Sequence, residues 1–187
     1  MADKTEQSKQ ILMQPVSDTD VEALTLGESS ELLAFSSLEE ACKLLRTMID
    51  QGQHRLIYFG PAIEAGLLGD NGVSASIGSL FRRNRSATMK TLVNHSQELV
   101  HTGQRVIELM RNLMPAVECR IRRPQSAGFG GACVLVDFSG YLFFPNPDRH
   151  KGSASFNGVA NAEKLYDVFI HEWEVGEPDP EIRPLYI

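Results

Sequence analysis

Only three cysteines, Cys42, Cys119 and Cys133, occur in 187 residues, and no two of them stand in a C-x-x-C spacing. An odd, widely spread set excludes a disulfide framework and a zinc signature. Cys42 falls on the apolar stripe of an expected helix, Cys119 alternates with Val117 and Ile121, and Cys133 opens an apolar run. All three read as small buried hydrophobes, which suits a reducing, cytoplasmic location. No apolar run nears the roughly 18 residues of a membrane helix, so no membrane association is expected. Residues 1–30 lack the basic start and apolar stretch of a secretory signal. No repeat of solenoid length is visible.

Catalytic and cofactor signatures are also missing. His171-Glu172-Trp173-Glu174-Val175 begins like H-E-x-x-H, but Val175 replaces the second zinc ligand, leaving a surface His-Glu pair beside a buried Trp173. Gly66, Gly69 and Gly72 do not form G-x-G-x-x-G, and no G-K-[ST] follows. No Gly-x-Ser-x-Gly elbow occurs, and His54, His95, His101 and His150 have no metal-ligand spacing. No cofactor and no metal are expected.

What is present is an ordinary globular composition, 42% hydrophobic and 22% charged, in a chain of one-domain length. Residues 1–25 are polar and acidic and read as a disordered tail, leaving 26–187 as the domain. A short strand is expected at 32–35. Ser37 and Glu40 form a capping box for a helix over 37–51. Leu56 to Phe59 reads as a buried strand, 61–73 as a glycine-rich loop, and 74–84 as a helix. A strand at 88–93 precedes a long helix that starts at Asn94 or Ser96 and ends near Leu113. Residues 117–121 alternate as a half-buried strand, and 123–131 form a loop. Residues 133–138 and 141–144 pair as a hairpin. After a loop at 145–159, a last helix covers 160–174. Alternating strands and helices imply an α/β fold, with helices on both faces of the sheet and right-handed crossovers.

Net charge is −6, but it is unevenly spread: residues 1–50 carry −6, residues 82–123 carry +6, and residues 163–187 carry −5. In the basic segment Arg82, Arg83 and Arg85 end a helix, where cations suit the dipole. Arg120 and Arg122 point to one strand face. With Arg149, these arginines are the candidates for a phosphate or carboxylate site, since guanidinium binds either at two points. The other reading makes them separate solvated charges paired with the acidic ends.

The order of elements resembles a phospholipase D-like half-domain. In that superfamily a strand bearing H-x-K-x4-D enters a hairpin; its histidine is the nucleophile and its lysine binds phosphate. Here the strand 130–137 ends in Val136-Asp137, so Asp137 matches the aspartate, while Gly130 and Ala132 stand at the histidine and lysine positions. A mixed sheet is therefore expected. Without that nucleophile, covalent phosphoryl transfer has no first step. The chain also resembles an uncharacterised bacterial family of such degenerate domains, found alone or after a GNAT acetyltransferase domain. The resemblance lies in Met89–Val93 with Gly103-Gln104-Arg105, in Gly140–Leu142 through Pro145–Arg149 to Ser155-Phe156-Asn157, and in Trp173 through Glu177–Arg183 to Leu185. The family pattern has Gly-His-Arg where Gln104 stands.

The resemblance implies a non-catalytic binding or accessory module, with an anionic ligand, a homodimer and an acetyltransferase-linked partner as its expected associations. Two alternatives stay open. One is a phosphodiesterase using His101 or His150, and the other is nucleic-acid binding through residues 82–123.

Overall fold

A computed structural model describes residues 13–96, 103–123, 129–180 and 182. The expected mixed α/β architecture is present. Nine strands run in the order β1-β2-β8-β7-β6-β3-β4-β5-β9. They are β1 (Gln14–Pro15), β2 (Leu33–Phe35), β3 (Arg55–Phe59), β4 (Thr88–Val93), β5 (Val117–Ile121), β6 (Ala132–Val136), β7 (Gly140–Asn146), β8 (Lys151–Ser155) and β9 (Glu177–Pro178). The helices are α1 (Leu38–Gln51), α2 (Ala65–Leu68), α3 (Asn71–Arg83), α4 (Gln104–Asn112) and α5 (Val159–Val175). Strands β3, β4 and β5 are parallel, and β6 is antiparallel to both β3 and β7. The N-terminal ends of β3–β5 and the β6–β7 turn mark the lower end of the sheet. Their C-terminal ends and the β7–β8 loop mark the upper end.

Two cores flank the sheet. On one face α1, α3 and α4 cover Leu56, Tyr58, Met89, Val93 and Val134. On the other, α5 seats Phe169 and Trp173 on Ile57, Phe59, Leu92, Cys133 and Leu135. The central run Cys133-Val134-Leu135-Val136 is buried on both sides, which is why it reads as continuously apolar instead of alternating.

Several boundaries differ from expectation. Residues 13–25, placed by composition in an acidic tail, lie against the domain: β1 pairs with β2, and Val16 and Val21 are buried. Residues 1–12 lie outside the described part. The glycine-rich loop contains α2, and α3 starts three residues early because the Asp70 carboxylate accepts from the Gly72 and Val73 N–H groups. Of the long helix after β4, the described part is α4, with Gly103 as its N-cap; Gln97, Leu99 and His101 lie outside the described residues. The expected loop at 145–159 contains β8, which pairs with both β7 and β2. There β7 bulges between Phe143 and Asn146, and a Cβ at Gly152 would fall 1.9 Å from Phe143 O. Glycine is obligatory at that approach.

Candidate functional site

Strand β6 places the residues singled out by the phospholipase D pattern. Its upper end brings Gly130 and Ala132 beside the loop after β3. Gly130 is exposed, and a Cβ there would meet nothing within 4 Å. Ala132 is buried, and a Cβ added at Gly60 would lie 2.8 Å from the Ala132 Cβ. Above Ala132 lies a cavity of about 10 Å³, lined by Tyr58, Glu64, Leu67, Ala132, Phe144, Pro147 and His150. That volume holds about one water.

Two loops close this cavity. The buried Tyr58 hydroxyl donates to Ala62 O at 2.7 Å and accepts from Glu64 N–H at 3.1 Å, fixing the β3–α2 loop. Burial pushes this phenol far above its ordinary pKa. Glu64 accepts from Gly66 N–H with one carboxylate oxygen and meets His150 Nε2 at 3.4 Å with the other. His150 ends a short turn in the left-handed conformation, φ 50°. An imidazole oriented by a carboxylate is a recurrent base arrangement. Among the described residues, however, His150 is the only side chain lining the cavity that could carry positive charge, so no other described side chain there would hold a phosphate.

Asp137 sits at the lower end, far from Gly130. Its carboxylate accepts the N–H groups of Gln53, His54 and Arg55 at 2.8, 2.8 and 3.0 Å. Asp137 therefore pins the hairpin to the start of β3, and that local role requires neither a histidine nor a lysine upstream.

The six candidate arginines do not converge on one site. Arg120 and Arg122 do share the α5 face of β5, as their alternation predicts. The Arg120 guanidinium lies 4.5 Å from the Trp173 ring centroid, donates to Trp173 O at 2.9 Å and pairs with Glu118. Arg122 is buried, with its side chain 5% exposed. It donates to Asn94 Oδ1 and Phe129 O, both at 3.2 Å, lies over Phe59 and faces Glu172 at 3.7 Å. Among the described residues its Nε and Nη2 atoms have no hydrogen-bond partners, nor has Glu172 Oε2. Glu172 is thus a buried counter-ion and not half of a surface pair; only His171 is exposed. Sequence reasoning missed it because its partner is fifty residues away and no short-range pattern links them. Arg149 is exposed at the upper end, four strand spacings from β5, or roughly 19 Å. Arg82, Arg83 and Arg85 lie at the opposite, lower end. Arg83 donates to Ile49 O and Gly52 O, closing the C-terminus of α1.

Among the described residues, no cluster of three His, Cys, Asp or Glu side chains could hold a metal, and no helix is long and apolar enough to cross a membrane. Residues 37–185 match the family described as "Domain of unknown function (DUF7931)". No curated protein matches the chain. Solved structures share its fold, three of them as follows. An archaeal chromatin protein, TrmBL2, described as showing a novel mode of DNA binding, matches with TM-score 0.57 and 12% identity over 81% of this chain and 55% of that one. NucT from Helicobacter pylori matches with TM-score 0.57 and 9% identity over 80% of this chain and 99% of that one. The phosphatidylserine synthase of Haemophilus influenzae Rd KW20 matches with TM-score 0.50 and 12% identity over 80% of this chain and 39% of that one. This chain therefore spans about half the length of the chromatin protein. NucT and the synthase are phospholipase D superfamily members, and at these identities the likeness is one of fold.

Proposed function

The chain belongs to the DUF7931 family, and from the fold and site of this member we propose that it is a non-catalytic binding module of the phospholipase D fold. The reading rests on strand β6. Its lysine position is Ala132, whose Cβ abuts Gly60 beneath a cavity of about 10 Å³. A phosphodiester has no room there, and no ammonium is present to receive it. Gly130 supplies no nucleophile, so the covalent step of that superfamily has no starting atom. Asp137 remains because it ties β6 to β3.

The competing reading is a phosphodiesterase that uses His150, motivated by its contact with Glu64. One assay separates them. The full chain is incubated with bis(p-nitrophenyl) phosphate and with labelled DNA, alongside His150→Ala and His101→Ala variants. The binding-module reading expects no turnover by any of them. Turnover by the native chain that disappears in either variant overturns it.

A further inference from the structure

The lower end of the sheet gathers positive charge. Thr88 N–H donates to His54 O at 2.9 Å, the Asn84 side-chain amide donates to Gln53 O at 2.6 Å, and Arg83 reaches Gly52 O at 3.1 Å. Asp137 N–H donates to Arg55 O at 2.9 Å. These bonds join segments 52–55 and 82–88 and the β6–β7 turn into one ledge. The first two segments carry four arginines, Arg55, Arg82, Arg83 and Arg85, and no acidic residue. Arg82, Arg83 and Arg85 are exposed, and Arg82 and Arg85 form no ion pair among the described residues. The flanking elements bring Asp50 at the end of α1, Glu118 paired with Arg120, Glu163 and Asp167 on α5 to either side of Tyr166, and Asp137, whose carboxylate is occupied by three backbone N–H groups.

Phe138 stands at the tip of the turn on the same ledge and is 63% exposed. The Arg55 guanidinium lies 4.0 Å from its ring centroid and 4.4 Å from that of Tyr166. This stack holds the phenyl ring while most of it stays in water. We infer that the ledge binds single-stranded nucleic acid, with the arginines on phosphates and a base stacked on Phe138. Charge and an aromatic platform together are what an unpaired strand needs. A duplex keeps its bases inside the stack. A membrane would need a wider apolar face than one ring among Gln53, His54, Asn84 and Ser86. The net charge of −6 does not oppose this, since charges beyond about 10 Å are largely screened at 0.1 M salt. The inference deepens the binding-module reading and rests on it in one respect: the strand is held and not cut.

The test is fluorescence anisotropy of labelled oligothymidylate against the full chain over a range of salt. Affinity should fall steeply with salt. Arg82→Ala and Arg85→Ala should each reduce the slope of log K against log salt by about 0.7. Phe138→Ala should weaken binding about tenfold or more with the slope unchanged, and Phe138→Tyr should restore it. Arg149→Ala, at the other end of the sheet, should change neither quantity. Absent binding, equal binding by every variant, tighter binding of the matching duplex, or displacement of the oligonucleotide by phosphatidylserine vesicles would each overturn the assignment. The oligonucleotide is recovered and sized from the same samples. Shortened product overturns the non-catalytic reading, whereas the ledge stands or falls on the Arg85→Ala and Phe138→Ala affinities.

Discussion

Asp137 and Arg55 are joined by three hydrogen bonds. Asp137 N–H donates to Arg55 O at 2.9 Å, Arg55 N–H donates to the Asp137 carboxylate at 3.0 Å, and Arg55 Nε donates to Asp137 O at 2.7 Å. Asp137 does this at φ 53°, a conformation that aspartate tolerates better than most side chains. Asp137→Ala should therefore cost about 3 kcal/mol, since hydrogen bonds to a charged group are each worth roughly 1.5–3 kcal/mol. Asp137→Asn keeps one acceptor oxygen and should cost about half as much. Urea denaturation measures both; an unchanged midpoint for the alanine variant would refute the clamp.

The buried Arg122–Glu172 pair predicts an asymmetry. Removing one partner leaves the other charge buried alone, so Glu172→Ala should cost about 3–5 kcal/mol. The combined change Arg122→Met with Glu172→Leu should recover most of that loss. The exposed Arg123–Glu177 pair, with side chains 55% and 72% exposed, should contribute less than about 1 kcal/mol. Urea denaturation of Glu172→Ala, the double variant and Glu177→Ala checks the order.

Burial pushes the Cys42 thiol up to about 11, with Asp70 and Glu64 adding to the rise, and the Cys133 thiol up to about 12. Burial also raises Cys119, with Asp179 contributing, and Tyr58. The folded state thus holds these protons more tightly than the unfolded chain does. Stability from these groups is complete below about pH 9, the ordinary thiol value. It is lost as pH climbs through 11–12. Denaturant midpoints should be flat in this respect from pH 7 to 8.5 and fall between pH 9 and 11. A rise over that interval would contradict the raised thiols of buried Cys119 and Cys133 and half-buried Cys42.

Restoring the superfamily residues should not restore their chemistry. Gly130→His enters open space and should be nearly neutral for stability. Ala132→Lys forces four methylenes and an ammonium into a cavity of about 10 Å³, and overpacking alone costs about 1–3 kcal/mol before the charge is considered. The double variant should be clearly destabilised and inactive on bis(p-nitrophenyl) phosphate. Native stability combined with turnover would refute the filled lysine position.

Periodicity carried the reading wherever an element buries one face. Ser37 and Glu40 announced α1, and the parity of Arg120 and Arg122 put both on the face that meets α5. Strand β8 escaped because Lys151-Gly152-Ser153-Ala154-Ser155 has no β-branched or aromatic residue; pairing with strands on both sides makes it a strand. Residues 13–25 look like a tail because Val16 and Val21 are their buried anchors among exposed polar neighbours. The candidate site was legible as a vacancy at Gly130 and Ala132, but its closure by Tyr58, Glu64 and His150 was not. Those residues meet only through strand order, which no local pattern encodes. For the same reason the sequence could gather six arginines into one list while the sheet sends them to two ends.

Among the described residues the two outermost strands, β1 and β9, are two residues long, and each contains a proline, Pro15 and Pro178. A proline has no N–H to offer an incoming strand, and short edges give it little to grip. The nine-stranded sheet is thus capped at each flank, which protects its apolar interior from edge-to-edge polymerisation. Replacing these imino acids would turn the margins of the sheet into templates for aggregation.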